Sequence, residues 1–286
     1  MDEFVSVLDH LCTRFPEVSR SKLRQMMKDK RITLNGEVVV VASTPVGPLD
    51  TVAIRHGVAP ARKSSLPFEI IHEDPDILVI DKPAGLLTST NPREKRPTVL
   101  AMLMQHYETP RHRNTKIGLI HRLDRDASGL LIFSRNAAAF DSLKGQFYRH
   151  SVDRIYLARV AGTPRPPRGT IESRLLELPD GRVVRTRKPS AGQRAITHYE
   201  TLSTHGPTSL LRITLQTGRK HQIRTHLAQL GHPILGDEMY EGPPSPLGLH
   251  LRAMILAITH PRTGARLRWQ AKDPVWIADC QLPSAD

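Results

Sequence analysis

The amino-acid sequence predicts an α+β fold: a central, largely antiparallel mixed sheet flanked by helices and loops, preceded by a small N-terminal α/β module. Three observations point there. Short β-rich runs bounded by turn residues recur from Phe68 to Gly218. Helical patterns interrupt these runs instead of alternating with them regularly, as a parallel sheet would require. A stretch without periodicity, GVAPARKSSLP, mixes Gly, Pro, Ser and charge in the manner of an exposed linker. The chain therefore divides into a small domain over 1–60, a linker over 61–66 and a large domain over 67–286.

In the small domain, Ser19 suits a helix N-cap, and Leu23, Met26 and Met27 follow at helical spacing on one face. Arg20, Arg24 and Lys28 recur at four-residue steps on another face, with Lys22 beside them, so a basic ridge runs along the same helix. On spacing alone that ridge fits RNA binding and plain solvation equally. Ile32 to Leu34, the Asn35-Gly36 turn and Glu37 to Val41 read as a short hairpin.

In the large domain the β-rich runs are FEIIHEDPDILVIDKPAGLL, IGLIHRLDRDASGLLIFSRN, RIYLARVAG, ITHYETL and SLLRITLQTG. The clearer helices are expected at Thr98 to Tyr107, Ala137 to Gln146 and Lys220 to Leu230, the last ended by Gly231. Within the second run, Ile117 to Ile120 and Leu130 to Phe133 look like buried strands, and His121 to Gly129 connect them.

Length and composition narrow the function. With 286 residues, 39% of them hydrophobic, the chain buries a substantial core and is not disordered throughout. Its 41 Lys and Arg against 28 Asp and Glu leave a formal charge of +13, which points to a polyanion, nucleic acid first, as partner. Cys12 and Cys280 stand near opposite ends, without the close pair of a zinc or redox site, which fits a reducing compartment. The start lacks a signal-peptide core and no apolar run is long enough for a bilayer, so a cytoplasmic location without membrane attachment is expected. His221 and His226, five apart on a helix and with no cysteine beside them, face different sides, so no metal site is expected. No glycine-rich phosphate loop occurs, and no cofactor is expected.

Asp124 lies on the polar connection between two apolar runs, the way folds hold a reactive group on a rigid frame. Arg122 and Arg125 place positive charge beside it. Asp124 or Asp126 equally suits an aspartate that merely stabilises a turn. Tyr156 alone reads as a half-buried strand aromatic. Arg224 lies at the edge of the stripe formed by Ile223, Leu227 and Leu230, where its fork is held in a defined geometry and can grip a carboxylate at two points, although a snorkelling surface arginine has the same signature. The segment GRVVRTRKPSAGQR, with Arg185, Arg187 and Lys188 among its cations and no acid, suits an RNA-facing strand and loop or a solvated one.

The undecapeptide HRLDRDASGLL resembles the HRLD-x-x-TSGLL motif of the RluA family of RNA pseudouridine synthases, and Asp124 occupies the position of that family's essential aspartate. IDKPAGLL, RIYLARVAG and LQTGRKHQIRTHLAQLGHPILGD match further stretches in the family's order. Ala127 replaces the common Thr, Arg154 stands where Lys is frequent, Leu251 where Ala is usual, and TSTNPREKRP is atypical. The resemblance implies the pseudouridine synthase fold and conversion of uridine to pseudouridine without a cofactor. It also implies that Tyr156 stacks on the target base, that Arg224 partners Asp124, and that Arg219 contacts phosphate, with Lys220 and His221 beside it on the RNA. Residues 2–54 resemble the S4 RNA-binding domain, which turns the ridge of Arg20, Lys22, Arg24 and Lys28 toward RNA. Large-subunit ribosomal RNA is the expected substrate and tRNA the second choice, acted on by a monomer with no obligate protein partner. The alternative is a noncatalytic RNA-binding or ribosome-assembly factor.

Overall fold

A computed structural model describes residues 5–29, 31–48, 50–54, 66–90, 96–108 and 115–277, and the chain forms two compact units, 1–65 and 66–286. Most of the expected linker, 61–66, lies outside the described residues.

The first unit contains β1 (Val5–Ser6), α1 (Val7–Arg14), α2 (Arg20–Lys28), β2 (Ile32–Leu34), β3 (Glu37–Val38), β4 (Pro45–Val46) and β5 (Val52–Ile54). Both helices begin where a serine can cap them: Ser6 Oγ accepts from Asp9 N and Ser19 Oγ from Lys22 N. Leu23 and Met27 turn inward to join Val7, Leu8, Leu11, Ile32, Val46 and Val52 in one core, while Met26 is only partly buried. The Asn35-Gly36 turn takes φ of 53° and 88°, the left-handed pair a two-residue hairpin requires, and joins β2 to β3. The second arm stops at Val38 rather than Val41, because Val40 and Val41 are 50% and 57% exposed and have no buried face to pair against.

The second unit is built on an eleven-stranded sheet. Its elements are β6 (Glu69–Glu73), β7 (Ile77–Lys82), α3 (Val99–Tyr107), β8 (Gly118–Leu119), β9 (Ser128–Ser134), α4 (Ala137–Tyr148), β10 (Asp153–Ala161), β11 (Arg168–Glu177), β12 (Val183–Thr186), β13 (Gln193–His205), β14 (Thr208–Leu215), α5 (Gln222–Gln229), β15 (Leu251–Thr259) and β16 (Arg266–Gln270). The strands run in the order β12-β11-β13-β14-β10-β15-β9-β7-β6, with β16 beside β15 and β8 beside β9. All pairings are antiparallel except β15 with β9. At that junction Gly129 holds φ 112°, and a Cβ there would lie 2.2 Å from the Ala253 carbonyl oxygen, so the close strand crossing needs glycine.

The central strands are buried on both faces, which explains their unbroken apolar runs. Leu78, Ile80, Leu131, Phe133, Tyr156 and Ala158 face one core with α3 and α5; Ile77, Val79, Leu130, Ile132 and Leu157 face the other with α4. Helix α3 is capped by Thr98 and α4 by Asn136, and α4 runs to Tyr148, two residues past the expectation. The last helix starts later than expected: Lys220 and His221 stand outside it, and His221 adopts φ 50° at its N-cap. Strands β11, β15 and β16 have no counterpart in the runs read from sequence. β11 and β16 alternate exposed and half-buried residues near sheet margins, which blurs the apolar signal.

Candidate active site

Asp124 stands in the connection between β8 and β9, and that connection is pinned by groups distant in sequence. Lys82, at the end of β7, is fully buried; its Nζ donates to the carbonyls of Pro83 (2.8 Å), Leu86 (2.8 Å) and Arg125 (2.9 Å). Burial pulls this ammonium down to about 8, while the charges of Asp126 and Asp124 act the other way. On the other side of Asp124, Thr88 Oγ1 donates to the Leu123 carbonyl at 2.8 Å and accepts from Leu123 N at 3.2 Å. His121 Nε2 accepts from Ile132 N at 3.2 Å, and burial together with the charges of Arg154 and Lys144 pushes this imidazole down to about 3. The backbone on both sides of Asp124 is therefore fixed before any ligand arrives.

The carboxylate itself is not saturated. Among the described residues it accepts no hydrogen bond; its neighbours are Arg224 Nη1 at 3.7 Å and His221 Nε2 at 4.0 Å. Arg224 reaches it from α5 in a fixed pose, because Nε and Nη2 form a two-point pair with Asp237 at 2.8 and 2.7 Å. Burial opposes the Arg224 charge, and Asp237 and then Asp124 outweigh that, raising its pKa. The Tyr240 ring lies 5.0 Å from the guanidinium, and the Tyr240 hydroxyl accepts from Val183 N at 3.0 Å and bonds His221 Nδ1 at 2.9 Å. Burial lowers the His221 pKa, with Asp124 opposing it.

Asp124 opens onto a cavity of about 680 Å³, within the range of small-molecule sites. Tyr156 lines it at 6% exposure, and burial raises the phenol pKa, with Arg154 opposing and Asp124 adding. Arg122, Lys144, Arg154, Arg219 and Lys220 line it as well, so its wall carries positive charge, and His221 stands beside them.

The structure thus brings Asp124, Tyr156 and Arg224 together, and adds Asp237, which sequence reasoning missed as the residue that fixes Arg224. The only local signal for Asp237 is its place at the end of the HPILGD run. Among the RNA-binding candidates, Arg122 is exposed at the cavity, whereas exposed Arg125 pairs with Asp126 at 2.9 Å and does not line it. Arg219 donates to the Arg194 carbonyl, Lys220 pairs with Glu177 at 2.6 Å, and His221 faces Asp124 rather than open solvent. Arg185, Arg187 and Lys188 are exposed on and after β12, the edge strand. In the first unit Arg20, Lys22, Arg24 and Lys28 are all exposed, with Arg20 paired to Asp9 at 2.7 Å.

Residues 76–229 match the family described as RNA pseudouridylate synthase, a span that contains Asp124, Tyr156 and Arg224. The chain belongs to this family. It is 35% identical over 94% of its length, and 90% of the relative, to the ribosomal large subunit pseudouridine synthase D of Pseudomonas aeruginosa. To the Escherichia coli K12 protein of the same name it is 31% identical, covering 92% of this chain and 86% of the relative. The uncharacterized RNA pseudouridine synthase YlyB of Bacillus subtilis is 33% identical over 91% of this chain and 88% of its own. Among solved structures, human RNA pseudouridylate synthase domain containing 4 superposes with a TM-score of 0.61 at 25% identity, covering 73% of this chain and 90% of that one. Human RNA pseudouridylate synthase domain containing 1 gives 0.58 at 25% identity, with 72% and 84% covered. The pseudouridine synthase is therefore an isomerase acting on RNA, and its large, mostly antiparallel mixed sheet is the family's fold.

Proposed function

We propose that this pseudouridine synthase isomerises uridines of structured large-subunit ribosomal RNA, with Asp124 as the catalytic carboxylate and the target base flipped into the cavity. The observation that carries this reading is the Asp124 carboxylate, open to a cavity of about 680 Å³, without a hydrogen-bond donor among the described residues, 3.7 Å from an arginine fixed by Asp237.

The reaction breaks the N1–C1′ bond, turns the uracil and joins C5 to C1′. An electron-deficient sugar centre forms on the way, and a carboxylate beside it stabilises it. Asp124 acts either by adding to C1′ or by removing the C2′ proton to give a glycal. Uracil stays bound and no electrons leave, so the chemistry calls for no external nucleophile or redox partner. Tyr156, at the cavity wall, offers its ring to the flipped base. Arg122, Arg125, Arg219 and Lys220, with Arg185, Arg187 and Lys188 on and after the edge strand, supply positive charge for the surrounding phosphates, and His221 offers a ring nitrogen beside them.

Ribosomal RNA is favoured because two of the relatives named above are called ribosomal large subunit pseudouridine synthase D. We take the first unit as an S4-like RNA-binding domain, supported by its exposed basic α2 face and adjacent β2–β3 hairpin. The enzyme works as a cytoplasmic monomer in this reading.

The test uses ribosomal RNA and tRNA transcripts carrying tritium at uridine C5, incubated with wild type and Asp124→Asn. Release of tritium from ribosomal RNA by wild type alone supports the whole reading. Preferential release from tRNA corrects the substrate, and equal release by the variant removes Asp124 from the chemistry.

A further inference from the structure

Arg154, which lines the same cavity as Asp124, and Arg224, 3.7 Å from the Asp124 carboxylate, are both buried guanidiniums, and the protein treats them in opposite ways. Arg224 is held at two points by Asp237. Arg154, 8% exposed, has no carboxylate partner among the described residues, and its buried Nε has no hydrogen-bond acceptor. Burial lowers its pKa, and the opposing influence comes from Tyr156, not from an acid. Its surroundings are the Phe147 ring, 5.4 Å from the guanidinium carbon, and Gly218, where a Cβ would come within 2.5 Å of Nη1. Lys144 lines the same cavity, and the depressed pKa of His121 registers the charges of both Arg154 and Lys144. Leaving a desolvated cation unpaired is strongly unfavourable unless a ligand completes it.

The ligand follows from depth and chemistry, given the reading of the cavity as a uridine site. A flipped nucleotide enters base first, so its phosphates stay at the mouth while the base reaches the buried wall. Arg154 lies on β10 two residues before Tyr156, and both line the cavity. At that depth uracil presents the carbonyl oxygens O2 and O4.

We propose that Arg154 is a catalytic residue: it hydrogen-bonds the uracil carbonyls and stabilises the negative charge the base gains as it leaves C1′. When N1–C1′ breaks, its electron pair goes to the base and spreads over N1, O2 and O4. Arg154 keeps all its protons and meets that charge with N–H donors already in place. When C5–C1′ forms, a π pair of the base makes the new bond, the C5 proton leaves to solvent and N1 takes up a proton, so atoms and electrons balance. The requirement is the same whether Asp124 adds to C1′ or removes the C2′ proton, because the base departs with the bonding pair in both. A carboxylate beside Arg154, like the one beside Arg224, would cancel the field the leaving base needs.

The experiment measures single-turnover rate constants at saturating enzyme, and RNA dissociation constants, for wild type, Arg154→Lys and Arg154→Met. Expected are a fall of about 100-fold in the Arg154→Met rate constant, dissociation constants within about threefold of wild type, and recovery of part of the rate by Arg154→Lys. With 5-fluorouridine at the target position the leaving base is more acidic, so the Arg154→Met penalty shrinks; because fluorine at C5 leaves no proton to lose once C5 joins C1′, the rate with this base is read as disappearance of the N-linked 5-fluorouridine nucleoside after nuclease digestion and chromatography. An unchanged rate constant in folded Arg154→Met, a loss confined to the dissociation constant, or equal penalties with uridine and 5-fluorouridine overturns the proposal. Should Arg154→Met fail to fold by circular dichroism, the Arg154→Lys penalty with the two bases decides on the same criterion. A wild type that forms no pseudouridine, or an Asp124→Asn enzyme that still does, sinks the reading of the site instead of the role of Arg154.

Discussion

Two clusters of buried acid and base in the large unit obey opposite rules. At the β6–β7 turn, Asp74 accepts from Asp76 N and Ile77 N at 2.8 Å each, and its other oxygen bonds His72 Nε2 at 2.8 Å and His260 Nε2 at 3.1 Å. Asp76 accepts from Asn136 Nδ2 at 2.8 Å and Arg262 Nε at 2.7 Å, and the Arg135 guanidinium donates to the Asp74 carbonyl. This cluster ties three chain segments together and leaves little for a ligand to satisfy. Around Asp124 the supporting groups are equally well bonded, Lys82 to three carbonyls and Arg224 to Asp237, but the carboxylate they surround has no hydrogen-bond donor among the described residues. Saturation marks a clasp, and a saturated frame around an unsaturated group marks a site prepared for a substrate.

Four measurements break or sharpen that contrast. Asp124→Asn is expected to lower the rate of pseudouridine formation by roughly 10⁴-fold or more while leaving the thermal midpoint within about 2 °C; a large loss of stability would place Asp124 with the clasp. Asp237→Ala leaves Arg224 buried without its partner, and urea unfolding should register a loss of about 3–5 kcal/mol together with a drop in activity. Asp74→Ala removes four hydrogen bonds from the clasp, for a loss of about 2–3 kcal/mol, yet turnover per folded molecule should match wild type.

The fourth is pH. His226 is fully buried between the hydroxyls of Ser173 and Thr197, and burial, aided by the charge of Arg185, pushes it down to about 4. Below about pH 6.5 the unfolded chain binds a proton here that the folded chain refuses until about pH 4, so stability falls with pH across that window. The loss from pH 7 to pH 5 is about 2 kcal/mol, and His226→Gln should flatten that slope in urea midpoints. Asp74 acts in a lower window. Although burial opposes it, hydrogen bonds from His72 and the backbone hold it at about 2, so its contribution is present above the ordinary aspartate value and is lost as pH falls through about 2.

Read from the sequence alone, the loop that carries Asp124 to the cavity was legible because two apolar runs bracket a polar connection. Helix α2 was legible because Ser19 stands directly before apolar periodicity and caps the helix through its own side chain; α3 and α4 were legible from their helical patterns, and the structure adds that Thr98 and Asn136 cap them in the same way. The Asn35-Gly36 turn was legible for the same local reason. Strands β11 and β16 were not, because half-exposed strands lack an apolar signature.

What the sequence determined by itself is the set of short-range choices: where helices start, where a hairpin turns, which loop carries the aspartate, and an excess of positive charge. Only the tertiary structure decided which charges meet. Lys82 reaches a carbonyl 43 residues away and Arg224 a carboxylate 13 residues away, while Arg154 finds none among the described residues. The physical reason is that a helix cap or a turn is satisfied within four residues of chain, whereas the partner of a buried charge is set by which strands become neighbours in the sheet, and no local periodicity encodes that order.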